Sequence, residues 1–253
     1  MMRQLDSNIL SRLNPSPASD AGHYVELPVP EGSDVLKVAD GQSFSQVYMI
    51  GRGEGCVEGF PFSSIVAGAG AQVDIVIVIL PGADADVPLA VDIVGEGADV
   101  RISGLYVCSG SDNVSVRTDV RHRVPGSVSR QLFNGIAAGS SRAGFYGKIV
   151  VAPDAQKTEA YQTNHNLVIS GQAHAETRPQ LEIYADDVKC SHGATVGRLN
   201  EDEQFYMRSR GIPEQEARVL QMISFIAPVL SGISDQELKD SVASVVESAV
   251  RAL

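Results

Sequence analysis

The sequence has no tryptophan, few basic residues and no long apolar run. Its 20 Lys and Arg residues stand against 31 Asp and Glu residues, which gives a formal net charge of −11 over 253 residues. Because phosphate binding needs a clustered basic face, this deficit argues against a nucleic-acid-binding protein and against attachment to an anionic membrane surface. The longest apolar run, residues 73–80, contains Asp74 and is far too short to span a bilayer.

The cysteines are also few and widely spaced. Cys56, Cys108 and Cys190 form neither a CxxC motif nor a disulfide framework, and we expect Cys56 and Cys108 to be structural. The first residues lack the apolar core of a signal peptide, so we expect a reduced, cytoplasmic location. There is no GxxxxGK(S/T) phosphate loop and no spacing typical of a serine nucleophile elbow. We therefore expect that the chain is not itself an ATPase.

Glycine is abundant, with 24 residues, and it separates short β-type runs. Between about residues 23 and 183, branched aliphatic residues recur at alternate positions, as in 90–94 and 147–151, which is typical of strands with one buried face. The turn at 68–73 is echoed 27 residues later at 95–100. A fixed period indicates the stacked coils of a β-solenoid, whereas short strands with regular turns also fit a β-sandwich. The pattern alone leaves both folds open.

The end of the chain has helical signals instead. Asn200 is predicted to cap a first helix and Gly211 to end it in a left-handed turn. Pro213 suits the first position of a second helix, and Ser234 is predicted to cap a third. The apolar residues of this third helix follow the helical period, so the stripe must face either the chain's own body or a partner.

The first residues differ from both regions. A weakly amphipathic stretch is followed by Pro15 and Pro17, which stop a helix. We therefore predict three parts: an N-terminal arm or linker over residues 1–20, a β-rich core over 21–198 and a helical domain over 199–253.

Where the β-rich core gives way to the helices, the sequence resembles a known family. The run 185–197, Ala-Asp-Asp-Val-Lys-Cys-Ser-His-Gly-Ala-Thr-Val-Gly, resembles the SufB/SufD family of iron–sulfur cluster assembly scaffolds. The runs 160–170, 177–183 and 204–212 continue the resemblance, which is dense from about residue 117 to residue 225. The chain is more similar to the SufD type than to the SufB type, and it is shortened at its N-terminus relative to that type.

This resemblance implies a right-handed parallel β-helix followed by a small C-terminal helical domain, and so a solenoid rather than a sandwich. It also implies a scaffold subunit that pairs with a SufB-like paralogue or with a second copy of itself. Residues 199–253 would dock a SufC-like ABC-type ATPase. No cofactor would be tightly bound, and an iron–sulfur cluster would be held only transiently.

Cys190 and His192 are the candidate site residues. They lie two positions apart, so on an extended strand both side chains point to one face. A thiolate and an imidazole can ligate iron or a nascent cluster, although two ligands do not complete a tetrahedral site. The residue pattern alone favours Cys190 as a small buried hydrophobe. The resemblance instead implies that His192, with Cys190 beside it, takes part in cluster assembly at the interface between paired chains.

Other ligand-type residues have simpler interpretations. Ordinary hydrogen bonds along the strands account for His165 and His174, and His122, between two arginines, is predicted to lie in a solvated turn. Asp186 and Asp187 suit a turn better than an acid–base pair. Two alternative functions remain open: a self-pairing homologue without assembly activity, and a β-helix carbohydrate-active enzyme. The lack of tryptophan platforms argues against the enzyme.

Overall fold

The computed structural model describes Ile9, Arg12, Leu13 and residues 35–52 and 55–253. Most of the predicted N-terminal arm lies outside these residues. The described part of the chain forms twelve strands and then three helices. The strands are β1 (Val35–Val38), β2 (Ser43–Ile50), β3 (Ser64–Ala67), β4 (Gln72–Ile79), β5 (Ala85–Ile93), β6 (Asp99–Cys108), β7 (Asn113–His122), β8 (Val128–Ala137), β9 (Arg142–Val151), β10 (Glu159–Val168), β11 (His174–Ile183) and β12 (Lys189–Gly197).

The strands form two parallel sheets of six strands each. One, the odd-strand sheet, has the order β1-β3-β5-β7-β9-β11, and the other, the even-strand sheet, has the order β12-β10-β8-β6-β4-β2. Each odd strand and the even strand after it therefore make one turn, and six turns stack into a solenoid. The predicted parallel β-helix is confirmed, and the sandwich is excluded because its sheets would be antiparallel.

The glycine echo marks one corner of this solenoid. Gly70 and Gly97 have φ values of +62° and +71°, which glycine adopts without a steric penalty. The N–H of Gly70 donates to the carbonyl of the residue before Gly97 at 2.8 Å. The N–H of Lys157 donates in the same way to the carbonyl of Asp187 at 2.5 Å, and Lys157 holds a φ of +58°. The 27-residue echo therefore corresponds to one turn of the solenoid.

The interior becomes more polar along the solenoid axis. In β4 the inward positions are aliphatic, as at Ile75 and Ile77. In β10 the inward positions include Gln162, Asn164 and Asn166, all buried. The final turns thus enclose amide groups where the earlier turns enclose methyl groups.

Two glycines make room for aromatic rings inside the solenoid. Gly135 is the register partner of Tyr106, and Gly104 is the register partner of Phe133. A Cβ atom on Gly135 would lie 1.8 Å from Cε2 of Tyr106, and one on Gly104 would lie 2.1 Å from Cδ1 of Phe133. Each ring therefore fills the space that a neighbouring side chain would need.

The helices that follow are α1 (Glu201–Ser209), α2 (Glu214–Leu230) and α3 (Gln236–Arg251). Asn200 caps α1, since its Oδ1 accepts the N–H groups of Asp202 and Glu203 at 2.9 and 3.2 Å. Gly211 follows α1 with a φ of +86°, as predicted. Two predicted helix starts are one residue off. Pro213 is the N-cap of α2 rather than its first residue.

The cap of α3 is also one residue away from its predicted position. Asp235, not Ser234, is the N-cap, because its carboxylate accepts the N–H of Leu238 at 2.9 Å. Arg12 contacts the carboxylate of Asp235 and lies 3.0 Å from that of Glu237. This ion-pair cluster joins the described N-terminal residues to the start of α3.

Helices α2 and α3 cover the outer face of the even-strand sheet. The apolar stripe of α3, including Val242 and Val246, is buried in a cluster with α2 and with sheet residues such as Val78 and Leu105. Ile9 and Leu13 belong to the same cluster. The stripe thus faces the chain's own body. None of these helices is long and apolar enough to cross a membrane.

Candidate functional site

The last turn of the solenoid leaves two strand edges free. Within the described residues, β12 pairs only with β10, and β11 pairs only with β9. Free edges present unpaired N–H and C=O groups to another chain. The described residues therefore leave this end of the solenoid open.

Cys190 and His192 lie on β12 and face the same way, as their spacing predicted. Their register partners on β10 are Ala160 and Gln162, which are both buried inside the solenoid. The two side chains therefore continue the interior face at its open end. Cys190 is half-buried and packs against the core, whereas His192 is exposed.

The electrostatics of Cys190 favour the protonated thiol in the free protein. Burial raises the pKa of the Cys190 thiol, and a hydrogen bond with the backbone of Ala160 opposes this in part. Only the thiolate is a strong metal ligand, so binding of a metal ion at Cys190 must release a proton. Ligand binding here is therefore expected to weaken as the pH falls.

The pair suits a shared metal site rather than a complete one. No group of three or more His, Cys, Asp or Glu residues within the described ranges could hold a metal ion. Cys190 and His192 offer one sulfur and one nitrogen ligand on an accessible edge strand. The remaining ligands would come from sulfide or from a second chain seated on this end.

Exposed apolar side chains lie at the same end. Ile183 ends β11, Tyr184 follows it with 60% of its surface exposed, and Val196 is exposed on β12. Large exposed apolar groups near free edges are typical of a surface that binds another protein. We call Ile183, Tyr184 and Val196 the end patch.

Comparison with known proteins identifies the family. Residues 39–225, more than half of the chain, match the family described as SUF system FeS cluster assembly, SufBD core domain. This chain belongs to the SufBD core family. The matched residues contain β2 to β12, α1 and most of α2, so the Cys190 and His192 pair lies within the SufBD core.

Several individual relatives are named as iron–sulfur cluster assembly proteins. The iron–sulfur cluster assembly protein SufD of Escherichia coli is 43% identical over 148 residues, which is 58% of this chain and 35% of that protein. A SufBD family protein of Synechocystis is 38% identical over 138 residues, or 54% of this chain and 30% of that protein. SufD of Bacillus subtilis is 31% identical over 157 residues, or 62% and 36%. The chain thus spans about a third of the length of these SufBD relatives.

Sequence reasoning missed the polar residues beneath the site. Gln131 on β8 and Gln162 on β10 are in register with each other, and Gln162 is in register with His192. The amide oxygen and nitrogen of both glutamines are buried and form no hydrogen bond within the described part of the chain. The three residues are 31 and 30 positions apart in the sequence, so this row can be recognised only when the register of the strands is known.

The other histidines of the SufBD core lie elsewhere. His165 on β10 contacts the hydroxyl of Thr195 through Nδ1 at 2.7 Å, whereas His174 begins β11 in the opposite sheet. The prediction that His122 lies in a solvated turn is wrong. His122 ends β7 with its ring inside the solenoid, where Ser127 and Ser129 contact Nδ1 and Nε2 at 2.7 and 2.8 Å.

The two acidic residues before β12 shape a corner. Asp186 and Asp187 are both exposed in the bend that joins β11 to β12. The backbone N–H of Asp187 donates to Oε1 of Gln156 at 2.9 Å, and its carbonyl accepts from Lys157. These contacts account for the pair as corner residues, as the sequence indicated.

A second surface of the SufBD core lies beside α1. No residue of α1 is buried, and Phe205 and Tyr206 are 73% and 59% exposed. Between α1 and α2 lies a groove of about 680 Å³, lined by Tyr206, Met207, Leu220 and Phe225 among others. We call this groove and the neighbouring Phe205 the α1 groove.

Proposed function

We propose that this chain is a cytoplasmic scaffold subunit of a SUF-type iron–sulfur cluster assembly complex. It pairs with another SufB/SufD-type chain and docks an ABC-type ATPase, and it catalyses no reaction itself. The observation that carries the proposal is the position of Cys190 and His192. They form an accessible but incomplete ligand pair on the free edge of the last solenoid turn, in a chain of the SufBD core family.

The end of the solenoid supports pairing with a second chain. β11 and β12 each have a free edge, and the end patch adds apolar area beside them. A second SufB/SufD-type chain seated there would exclude water from Cys190 and His192 and supply the missing ligands. The iron or nascent cluster is cargo at this interface, bound and then passed on.

The α1 groove supports docking of the ATPase. Exposed aromatic side chains are the residues that most often dominate a protein interface, and α1 presents two of them on a helix with no buried residue. Only residues 198–200 separate the end of β12 from α1. A movement of α1 driven by ATP would therefore be transmitted directly to the strand that carries Cys190 and His192.

The ligand pair is tested by its removal. The double variant Cys190→Ala/His192→Ala is expected to lose labile iron and sulfide from the anaerobically purified complex, because it removes both the sulfur and the nitrogen ligand of the proposed site. The measurement is the iron and acid-labile sulfide content of the eluted complex, together with its intact mass. The matched control is Cys108→Ala/His165→Ala, since Cys108 is buried inside the solenoid and His165 lies on the outer face of β10.

The outcome separates the proposed function from its alternative. Iron retained by the control and lost by the site variant supports the proposal. A metal-free homodimer without an ATPase, or site and control variants with equal iron content, would contradict it and favour a self-pairing homologue.

The two docking surfaces are tested by crossed variants. Phe205→Ala/Tyr206→Ala is expected to weaken ATPase retention at least about tenfold while the paired chain stays bound. Ile183→Ser/Tyr184→Ser is expected to weaken pairing and leave the ATPase bound. Native mass spectrometry of the purified complexes measures the subunit composition. Loss of the same subunit from both variants would mean that the two surfaces are not separate docking sites.

A further inference from the structure

We propose that Gln162 is a positioning residue for His192. When His192 binds the metal through one ring nitrogen, the other ring N–H donates to the amide oxygen of Gln162. This inference rests on the proposed function, because it assigns a role to Gln162 only if His192 is a ligand.

The register places the two side chains together. Gln162 and His192 are Cα partners on β10 and β12, so both side chains point to the interior face. Neighbouring strands lie about 4.8 Å apart, a distance that a small side-chain rotation closes to a hydrogen bond. β11 and β12 form the last described turn of the solenoid. His192 therefore lies next to Gln162 along the solenoid axis, on the side of the open end.

Gln162 also has an amide oxygen that is available as an acceptor. The residue is 1% exposed, and neither amide atom has a hydrogen-bond partner within the described residues. A buried polar group without a partner is costly, so a nearby donor that becomes fixed would form a favourable bond. The amide of Gln162 packs closely against Gly147 of the opposite sheet, since a Cβ atom added to Gly147 would lie 2.3 Å from Nε2 of Gln162.

The chemistry of a metal-bound histidine supplies that donor. A histidine that ligates a metal almost always donates its other ring N–H to a carboxylate, a carbonyl or water, which fixes the ring orientation. In the described part of the chain, His192 does not belong to any group of three or more His, Cys, Asp or Glu residues that could hold a metal ion. The Gln162 carbonyl is the buried acceptor in register with the imidazole.

Gln131 provides a matched control. It is one turn deeper in the same row, with the same buried and unpartnered amide atoms, but its register partner is Gln162 rather than His192. Gln162→Leu and Gln131→Leu therefore remove the same chemical group from the same interior. Only the first removes it from beside the ligand.

The test is a cobalt titration of the anaerobically purified complex, followed by thiolate-to-cobalt charge-transfer absorbance. Gln162→Leu is expected to weaken cobalt binding at least about tenfold, the lower range for loss of a histidine's outer hydrogen bond. Gln131→Leu is expected to change it by less than about twofold. In a His192→Ala background, Gln162→Leu is expected to have no further effect, because its contribution acts through the imidazole.

Other results would overturn the inference, and they show whether the proposed metal site fails with it. Equal effects of the two leucine variants, or an undiminished effect of Gln162→Leu without His192, would show that Gln162 acts on the solenoid and not on the ligand. In that case the proposed function stands. If His192→Ala binds cobalt as tightly as the unaltered protein, His192 is not a ligand, and the metal site and this inference fail together.

Discussion

Replacing Gly135 with alanine is expected to lower the free energy of unfolding by at least about 3 kcal/mol, because it overpacks a closed interior and separates buried hydrogen-bond partners. The added Cβ would lie 1.8 Å from Cε2 of Tyr106 and 2.6 Å from Oδ1 of Asn166. Tyr106 cannot turn aside without loss, since its hydroxyl donates to Asn166 at 2.5 Å and accepts from Asn164 at 3.1 Å. Urea unfolding followed by far-UV circular dichroism measures the change.

The matched control is Gly59→Ala. A Cβ atom on Gly59 would meet no atom within 4 Å, so this variant is expected to stay within about 0.5 kcal/mol of the unaltered protein. Gly104→Ala repeats the test one turn away, where the new atom would lie 2.1 Å from the ring of Phe133. Similar stabilities of the Gly135 and Gly59 variants would mean that the interior yields, and the glycine–aromatic pairing would then not be a constraint on the fold.

The repeating part of the fold could be predicted from local chemistry. A left-handed corner favours glycine, so Gly70 and Gly97 recur at the same corner and their spacing gives the length of that turn, whereas Lys157 takes the same conformation in a later turn. The caps of the helices are local as well, and Asn200 and Gly211 act as their residue types predict. Asp235 took the cap predicted for Ser234 because either side chain can accept the required N–H, and only the backbone geometry decides between them.

The polar interior could not be predicted from alternation. In β10 the inward positions include Gln162, Asn164 and Asn166, while Tyr161 and Leu167 lie on the outer face. Hydrophobicity alone would place this strand the other way round, and a shift of one residue exchanges the two faces. The inward orientation allows a contact with a residue 60 positions away, the hydrogen bond from Tyr106 to Asn166.

The candidate site was also predictable only in its local features. Spacing places Cys190 and His192 on one face, and the resemblance singled out this pair. The face itself, the free edge of β12 and the row of glutamines behind it depend on which strands are neighbours. These features connect residues about one solenoid turn apart, a relation that no local pattern records.

His122 shows how charge patterns mislead in a solenoid. It stands between Arg121 and Arg123, both of which face solvent and pair with carboxylates on the outer face. Alternation turns the residue between them inward, and there His122 is 1% exposed. The ring is neutral and fully bonded, because a serine hydroxyl can either donate to or accept from each ring nitrogen.

Stability is therefore expected to depend on pH through His122. Burial lowers the pKa of His122 from 6.5 to about 4. As the pH falls below 6.5, the unfolded chain takes up a proton that the folded chain refuses until about pH 4. The contribution of His122 is thus complete above pH 6.5 and falls by about 3 kcal/mol between pH 6.5 and 4, with no further loss below. Urea unfolding at several pH values across this range measures the effect.

The comparison that isolates this group is with His122→Gln, which keeps a polar side chain near Ser127 and Ser129 but does not titrate. The surface carboxylates titrate in both proteins, so their contributions cancel in the difference between the two unfolding free energies. That difference is expected to shift in favour of the variant by about 3 kcal/mol from pH 7 to pH 4, whatever its value at neutral pH. A difference that stays constant with pH would mean that His122 takes up its proton equally well inside the solenoid, which requires water or a carboxylate at a ring that the serines otherwise enclose.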